Sequence, residues 1–128
     1  MKLFVPFAGL TLIVLSGCSN PSPTLSGGKP VEHWVVSLQT SPDAKLRKEA
    51  AFKLGNVGPS DPVASPALVA ALKDRDAVVR CEVILALVKF GRSAQAAVSP
   101  LKELRDRDPD AKVRSYAARA LETIQTSD

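Results

Sequence analysis

One pentapeptide occurs three times along the chain, and this repeat limits the possible folds more than any other feature. Asp43–Arg47 (DAKLR) recurs as Asp76–Arg80 (DAVVR) and as Asp110–Arg114 (DAKVR), at intervals of 33 and 34 residues. The register continues downstream, where Leu54 matches Leu87 and, in the third copy, a leucine at 121. A period of this length is typical of stacked structural units that bury a core only together. The sequence therefore predicts a repeat array of three copies.

Each copy is predicted to contain two helices. In the first copy Leu46, Ala50, Leu54 and Val57 are spaced i, i+4, i+8 and i+11, which places them on one face of a helix. A shorter apolar segment precedes each of these helices, at 31–38, 68–72 and 101–104. Six helices in three antiparallel pairs follow, which is an all-α fold forming a short α-solenoid.

Serine-proline and aspartate-proline pairs are the predicted helix starts. Each places a capping oxygen before a proline, a residue suited to the first helical turn. The pairs are Ser41-Pro42, Ser65-Pro66, Ser99-Pro100 and Asp108-Pro109. The repeats are accordingly assigned to about 30–58, 62–91 and 93–125, within a domain at 29–128.

The repeated Asp-x-x-Val-Arg, followed by an Ala- and Leu-rich helix and Leu54-Gly55, resembles HEAT repeats, in particular the type found in phycobilisome (PBS) lyases. This resemblance implies an armadillo-like α-α superhelix in which second helices line the concave side. It covers about residues 30–125. The third copy departs from the pattern, with Leu121-Glu122 and Gln125 where the family has Leu-Gly and a closing glycine.

The third copy also differs in the polarity of its second helix. Cys81, Leu85 and Val88 form a second apolar face in the middle copy, so that helix is expected to be covered on both sides. The matching residues of the third copy are Ser115, Arg119 and Glu122. A solenoid needs terminal repeats that tolerate water, so the third copy is predicted to be a C-terminal cap.

The N-terminus is predicted to be a lipoprotein signal peptide. Lys2 precedes an apolar stretch at 3–15, too short to span a bilayer and typical of a signal sequence. Leu15-Ser16-Gly17-Cys18 resembles the lipobox of bacterial lipoproteins, which implies removal of 1–17 and lipidation of Cys18, palmitate included. Residues 18–28, rich in Pro, Ser and Gly, are predicted to be a flexible tether. An ordinary signal peptide cleaved nearby is the alternative.

The resemblance also implies a location. A lipid anchor at Cys18 would hold the protein on a membrane of the bacterial cell envelope. Ser19 follows the cysteine where inner-membrane lipoproteins tend to have Asp, which slightly favours the outer membrane.

Composition argues against several functions. Without Lys2 the chain keeps 16 basic residues (17 − 1) against 13 acidic ones, a balance of +3 that is too mild for a nucleic-acid-binding surface. His33 is the single histidine, too few for a histidine-rich metal site or a Ser/His/Asp set. Cys81 lies in an apolar helix and is predicted to be a buried, inert thiol. We expect no metal, cofactor or catalysis.

The repeated Asp–Arg pairs are predicted to be structural. In each pair the residues are four apart, within reach on one helix, or they could bridge neighbouring repeats as a ladder, as the resemblance implies. Arg80 is expected to be the most buried of the three arginines. The charged turns at 73–76 and 105–108 are predicted to be solvated loops. The pairs are Asp43 with Arg47, Asp76 with Arg80, and Asp110 with Arg114.

Basic residues on or near the second helices are the candidate binding residues. They are Lys45, Lys48, Lys53, Lys89, Lys112 and Arg119, and they favour an acidic segment of an unidentified protein partner. The predicted function is a non-catalytic protein-protein interaction scaffold tethered to a bacterial membrane. The alternative, implied by the bilin-lyase resemblance, is an accessory or chromophore-handling subunit of an enzyme system.

Overall fold

The computed structural model describes residues 25–126, so the predicted signal peptide and Cys18 lie outside the described residues. Two short strands, a 3₁₀-helix and six α-helices make up the described part. They are β1 (Leu25–Ser26), β2 (Lys29–Pro30), α1 (Val31–Thr40), α2 (Ala44–Val57), α3 (Ala64–Ala71), α4 (Ala77–Val88), the 3₁₀-helix (Gly91–Ala97), α5 (Val98–Arg107) and α6 (Ala111–Thr126).

The helices form three consecutive pairs, α1 with α2, α3 with α4, and α5 with α6. The second helices stack in chain order, α4 packing on both α2 and α6, and the first helices lie along one side of this stack. One continuous hydrophobic core runs from Val31 to Ile124, and its second-helix positions include Leu54 and Leu87, both fully buried. The prediction of a short all-α solenoid is therefore confirmed.

The second helices begin at the repeated aspartates rather than at the serine-proline and aspartate-proline pairs. The Asp43 carboxylate accepts a hydrogen bond from Lys45 N at 2.8 Å. Asp76 accepts from the two amides at 78 and 79, and Asp110 from those at 112 and 113. Satisfying these otherwise unpaired first-turn N–H groups is the usual role of an N-cap.

The predicted caps were therefore wrong in position. Ser41 and Asp108 lie two residues upstream of the true caps. Ser65-Pro66 and Ser99-Pro100 lie inside the first turns of α3 and α5. Proline is tolerated throughout that first turn because its missing N–H would have no intrahelical partner there, so a proline does not fix the first helical residue.

A tight hairpin precedes α1 and begins within the segment 18–28 that the sequence assigns to the flexible tether. β1 and β2 pair antiparallel across Gly27 and Gly28, whose φ values of 58° and 76° suit the two central positions of a type I′ turn. Ser26 Oγ donates to Lys53 O at 2.8 Å, and Trp34 Nε1 donates to Ser26 O at 2.8 Å. Residues 25–28 are thus fastened to the helices.

Leu46 is the exception among the predicted core positions. It is 48% exposed, whereas the equivalent Val79 and Val113 are fully buried. Val79 shares a helix stripe with Ala86, which contacts Gly55 of the preceding copy. Leu46 points towards the corresponding space beside α2, which no helix of residues 25–126 occupies. Its exposure is thus a consequence of position in the array and not of local sequence.

None of the helices in the described segment combines the length and the apolar character that crossing a membrane requires.

Candidate functional site

Buried ion pairs join each repeat to the next at the loop edge of the array. Arg47 Nε and Nη2 donate to the Asp74 carboxylate at 2.9 and 3.0 Å, and its Nη1 donates to Ser41 O at 3.0 Å. Arg80 donates in the same way to Asp108, at 2.9 and 3.0 Å. Two parallel hydrogen bonds between a guanidinium and a carboxylate make a strong and geometrically specific contact.

The acidic partners differ from those that the pentapeptide predicted. The carboxylates at 43, 76 and 110 cap their own helices. The pairs instead use Asp74 and Asp108, from the charged turns that were predicted to be solvated; their side chains are only 9% and 3% exposed. Arg114 donates to the backbone oxygens at 108 and 109.

The expected order of burial was also wrong. Arg47 is 4% exposed and Arg80 is 9% exposed. Arg75 Nη2 donates to Pro42 O at 3.3 Å, an oxygen that also accepts from Arg47 Nη1.

The carboxylates that pair with the arginines can be identified by aligning the three copies with one another beyond the pentapeptide. Ser41, Asp74 and Asp108 occupy the same position in the three copies, two residues before each helix cap. The first copy has Ser41 in place of the aspartate. Residues 25–126 contain no repeat before this copy, and therefore no arginine that would need a carboxylate there. Reading the pentapeptide alone hides this periodicity.

Hydrogen bonds keep the first pair charged in spite of its burial. Burial by itself would raise the pKa of Asp74, but the hydrogen bond from Arg47 and that from the Asp76 backbone N–H outweigh it and lower the pKa. The hydrogen bond to Asp74 likewise raises the pKa of the Arg47 guanidinium. Both groups are therefore held in their charged forms.

A second surface is formed by the sides of α2, α4 and α6 that face away from the first helices. Its basic side chains are exposed, and three large apolar side chains lie exposed among them: Phe52 (44%), Val78 (58%) and Leu85 (46%). We call this surface the second-helix face. Its basic residues are Lys45, Lys48, Lys89, Lys112 and Arg119, and all five are exposed.

α4 is covered by α2 on one side and by α6 on the other, as expected, but Leu85 of its predicted second apolar face stays exposed. Cys81, on the same predicted face, is buried, and Val88 is half-buried. The side chain of Leu85 instead borders an open groove of about 240 Å³ between α4 and α6. The groove is lined by Ile84, Leu85, Val88, Tyr116, Arg119, Ala120 and Thr123.

Aromatic rings hold two of the cations on the second-helix face. Lys89 Nζ lies 4.9 Å from the centre of the Phe52 ring and donates to Asn56 Oδ1 at 2.7 Å. Lys112 Nζ lies 5.7 Å from the centre of the Tyr116 ring. Such cation–π contacts fix the position of an ammonium group without neutralising its charge.

Lys53 does not belong to this surface, although the sequence grouped it with the other basic residues. It is half-buried, and its Nζ lies 5.8 Å from the centre of the Trp34 ring, under the N-terminal hairpin. The equivalent positions in the other copies are Ala86 and Ala120, both buried.

The remaining five cations have no acidic partner within the described part of the chain. The ion pairs found there are the two buried pairs and Arg105 with Asp106. The second-helix face thus carries cations that form no salt bridge within the described residues, beside exposed apolar side chains.

The repeated pairs, the helix stacking and the loop-edge arginines together define a known repeat type. A family profile described as HEAT repeats matches residues 31–122. The chain is a HEAT-repeat protein. A search of curated proteins gave no match to this HEAT-repeat protein.

Cys81 and His33 are two further side chains with reactive groups, and each packs against its neighbours. Cys81 is 8% exposed, and desolvation by burial raises the pKa of its thiol, which disfavours the nucleophilic thiolate. The exposed His33 ring packs edge-on against Trp34 at 4.9 Å, with Lys29 Nζ 3.3 Å from its Nε2. No group of three or more metal-ligating side chains occurs in residues 25–126.

Proposed function

We propose that this HEAT-repeat protein is a lipid-anchored scaffold of the bacterial cell envelope. It binds another protein through the second-helix face and performs no catalysis itself. The observation that carries this proposal is the second-helix face, where cations without a salt bridge among residues 25–126 lie beside exposed Phe52, Val78 and Leu85. Exposed apolar side chains that form a patch rimmed by polar residues are typical of protein interaction sites.

Family membership supports a binding role. HEAT repeats commonly mediate protein–protein interaction. A rigid stack of helices presents side chains at fixed spacing, which suits recognition of an extended partner. Fold alone does not determine function, so the proposed binding role rests on the side chains of the second-helix face.

A photocrosslinking experiment tests the binding role in the native envelope. A photoreactive amino acid placed at position 85 is expected to crosslink a discrete partner in intact cells. The same amino acid at position 63 is the matched control, since Val63 is similarly exposed at 42% but lies outside the second-helix face. Crosslinking at neither position, or equally at both, would argue against a binding surface on the second helices.

A charge-reversal pair gives an independent test. Lys89→Glu with Lys112→Glu reverses two cations of the second-helix face, and we expect it to abolish recovery of the crosslinked partner on affinity purification. Lys73→Glu with Lys102→Glu makes the same change in charge at exposed positions elsewhere and is expected to preserve recovery.

Lipid anchoring at Cys18 is the second part of the proposal. Acyl chains stabilise membrane association by about 0.8 kcal/mol per buried methylene, so two or more chains on one residue give stable anchoring. Cys18→Ser is expected to move the full chain from the membrane to the soluble fraction and to abolish palmitate incorporation. Cys81→Ser, which changes the other cysteine, is expected to do neither.

The affiliation with the bilin-lyase type of repeat remains a prediction. A chromophore-handling role would give the protein purified from its native source visible absorbance, and a colourless preparation with a crosslinked protein partner would favour the scaffold.

A further inference from the structure

We infer that the groove between α4 and α6 binds one bulky apolar side chain from an acidic segment of the partner protein. This inference rests on the proposed function and adds to it the chemistry of the partner. It identifies one place on the second-helix face where specificity would arise, beyond general attraction of charge.

The groove exists because one glycine of the first interface has a bulky counterpart in the second. Gly55 on α2 approaches α4 so closely that an added Cβ would lie 2.9 Å from Ala86 Cβ. The equivalent positions in the next interface are Val88 on α4 and Ala120 on α6. The Val88 side chain prevents an equally close approach, and both residues line the opening. The groove is therefore built into the interface between the second and third copies.

The lining and size of the groove suit an apolar group. Its walls are largely aliphatic and aromatic, with Leu85 and Val88 on one side and Tyr116 on the other. A volume of about 240 Å³ exceeds the cavity of about 150 Å³ that holds a benzene ring in an engineered protein. A leucine or phenylalanine side chain fits this space and would cover the exposed Leu85.

The cations near the groove favour acidic residues in the rest of the partner segment. Arg119 lines the opening, and Lys112 Nζ lies 5.7 Å from the ring centre of Tyr116, another lining residue. Lys89 directly follows the lining residue Val88 and is held by the Phe52 ring. None of the three has a carboxylate within salt-bridge distance among residues 25–126. Carboxylates flanking the inserted side chain would supply the missing partners.

The acidic residues of the second-helix face favour a protein over a phosphate-rich surface. Glu49, Glu82 and Glu122 lie on the same helices as the cations; Glu49 and Glu122 are exposed, and Glu82 is half-buried. A nucleic acid or an anionic membrane presents dense, uniform negative charge that these carboxylates would repel. A peptide can space its carboxylates to meet the cations and avoid the glutamates.

The test measures binding of a fluorescent peptide to the full chain in detergent. The probe is a short peptide of Glu and Asp around a central Leu-Phe pair. One control peptide replaces the Leu-Phe pair with Ser, and another replaces every acid with Lys. We expect the probe to bind, both control peptides to bind at least about tenfold more weakly, and added salt to weaken the probe.

Protein variants locate the site. Leu85→Ser is expected to weaken probe binding by about tenfold, since the burial of one leucine is worth at least that factor. Val63→Ser removes an equally exposed apolar side chain elsewhere and is expected to leave binding unchanged. Circular dichroism establishes that both variants remain folded.

Three outcomes would overturn the inference. They are equal binding of the Ser-substituted peptide, equal binding by the Leu85→Ser protein, and displacement of the probe by anionic vesicles that bind the second-helix face more tightly. A crosslinked partner that the Leu85→Ser protein still recovers would refute the groove assignment while preserving the proposed scaffold function. Absence of any crosslinked partner would refute the scaffold itself.

Discussion

The buried pair between Arg47 and Asp74 makes the most demanding prediction about stability. Asp74→Asn removes the negative charge but keeps the oxygen that accepts from Asp76 N at 2.9 Å. The guanidinium then stays buried at 4% exposure and loses an acceptor that is now 2.9 Å from its Nε. Removing one partner of a buried pair costs about 3–5 kcal/mol, a large fraction of the roughly 5–15 kcal/mol by which a domain is stable.

Arg47→Met should cost a similar amount alone, because it leaves the Asp74 carboxylate buried. The double variant leaves no unpaired charge, so its cost should be smaller than the sum of the two single costs by about 2 kcal/mol or more. Urea denaturation followed by far-ultraviolet circular dichroism measures all four free energies of unfolding.

The exposed pair of Arg105 and Asp106 is the internal control. Their side chains are 43% and 57% exposed, with a 2.7 Å contact, so the pair shows favourable geometry without burial. Screening by water should leave no measurable coupling there. A coupling for the buried pair no larger than that of the exposed pair would refute the argument that the loop-edge ion pairs fasten the repeats together.

Three further predictions follow from single sites. Gly55→Ala should lower the melting temperature, because overpacking against Ala86 costs about 1–3 kcal/mol against a gain of roughly 1 kcal/mol in helix propensity; an unchanged melting temperature would contradict the close approach. The folded-state pKa of Asp74 lies below its ordinary 3.8, so its contribution to stability is present above that pH and is lost as the pH falls through the folded pKa. A melting-temperature titration should therefore show a weaker acid dependence for Asp74→Asn, and an identical curve would contradict the assignment. In a Cys18→Ser background Cys81 should react with a maleimide only slowly until urea unfolds the chain, and rapid reaction of the folded protein would show that the thiol is accessible.

The periodicity of the sequence predicts the number and pairing of the helices because each copy repeats its apolar positions. Leu54 and Leu87 are buried as their spacing indicates. Leu46 is exposed although its spacing is equally regular, because periodicity carries no information about which copy is terminal. Whether Leu46 is buried depends on a neighbouring repeat and not on the sequence of its own helix.

The site was harder to predict for a related reason. Asp74 and Asp108 lie in turns of alternating charge, a pattern typical of solvated loops. Their burial depends on an arginine that lies 27 or 28 residues earlier in the chain. The two groups meet only because one copy stacks on the next. Similarly, Lys53 and Lys89 are both basic residues of second helices, but the N-terminal hairpin covers only the first.

The exchange of Gly55 for Val88 between successive copies also has a mechanical consequence. The interface of α2 and α4 is clamped at both ends, by the Arg47–Asp74 pair and by the glycine contact. The interface of α4 and α6 has its ion pair but no such clamp at the other end. We therefore expect the interface of α4 and α6 to loosen first at its groove end, whereas the interface of α2 and α4 is held at both ends.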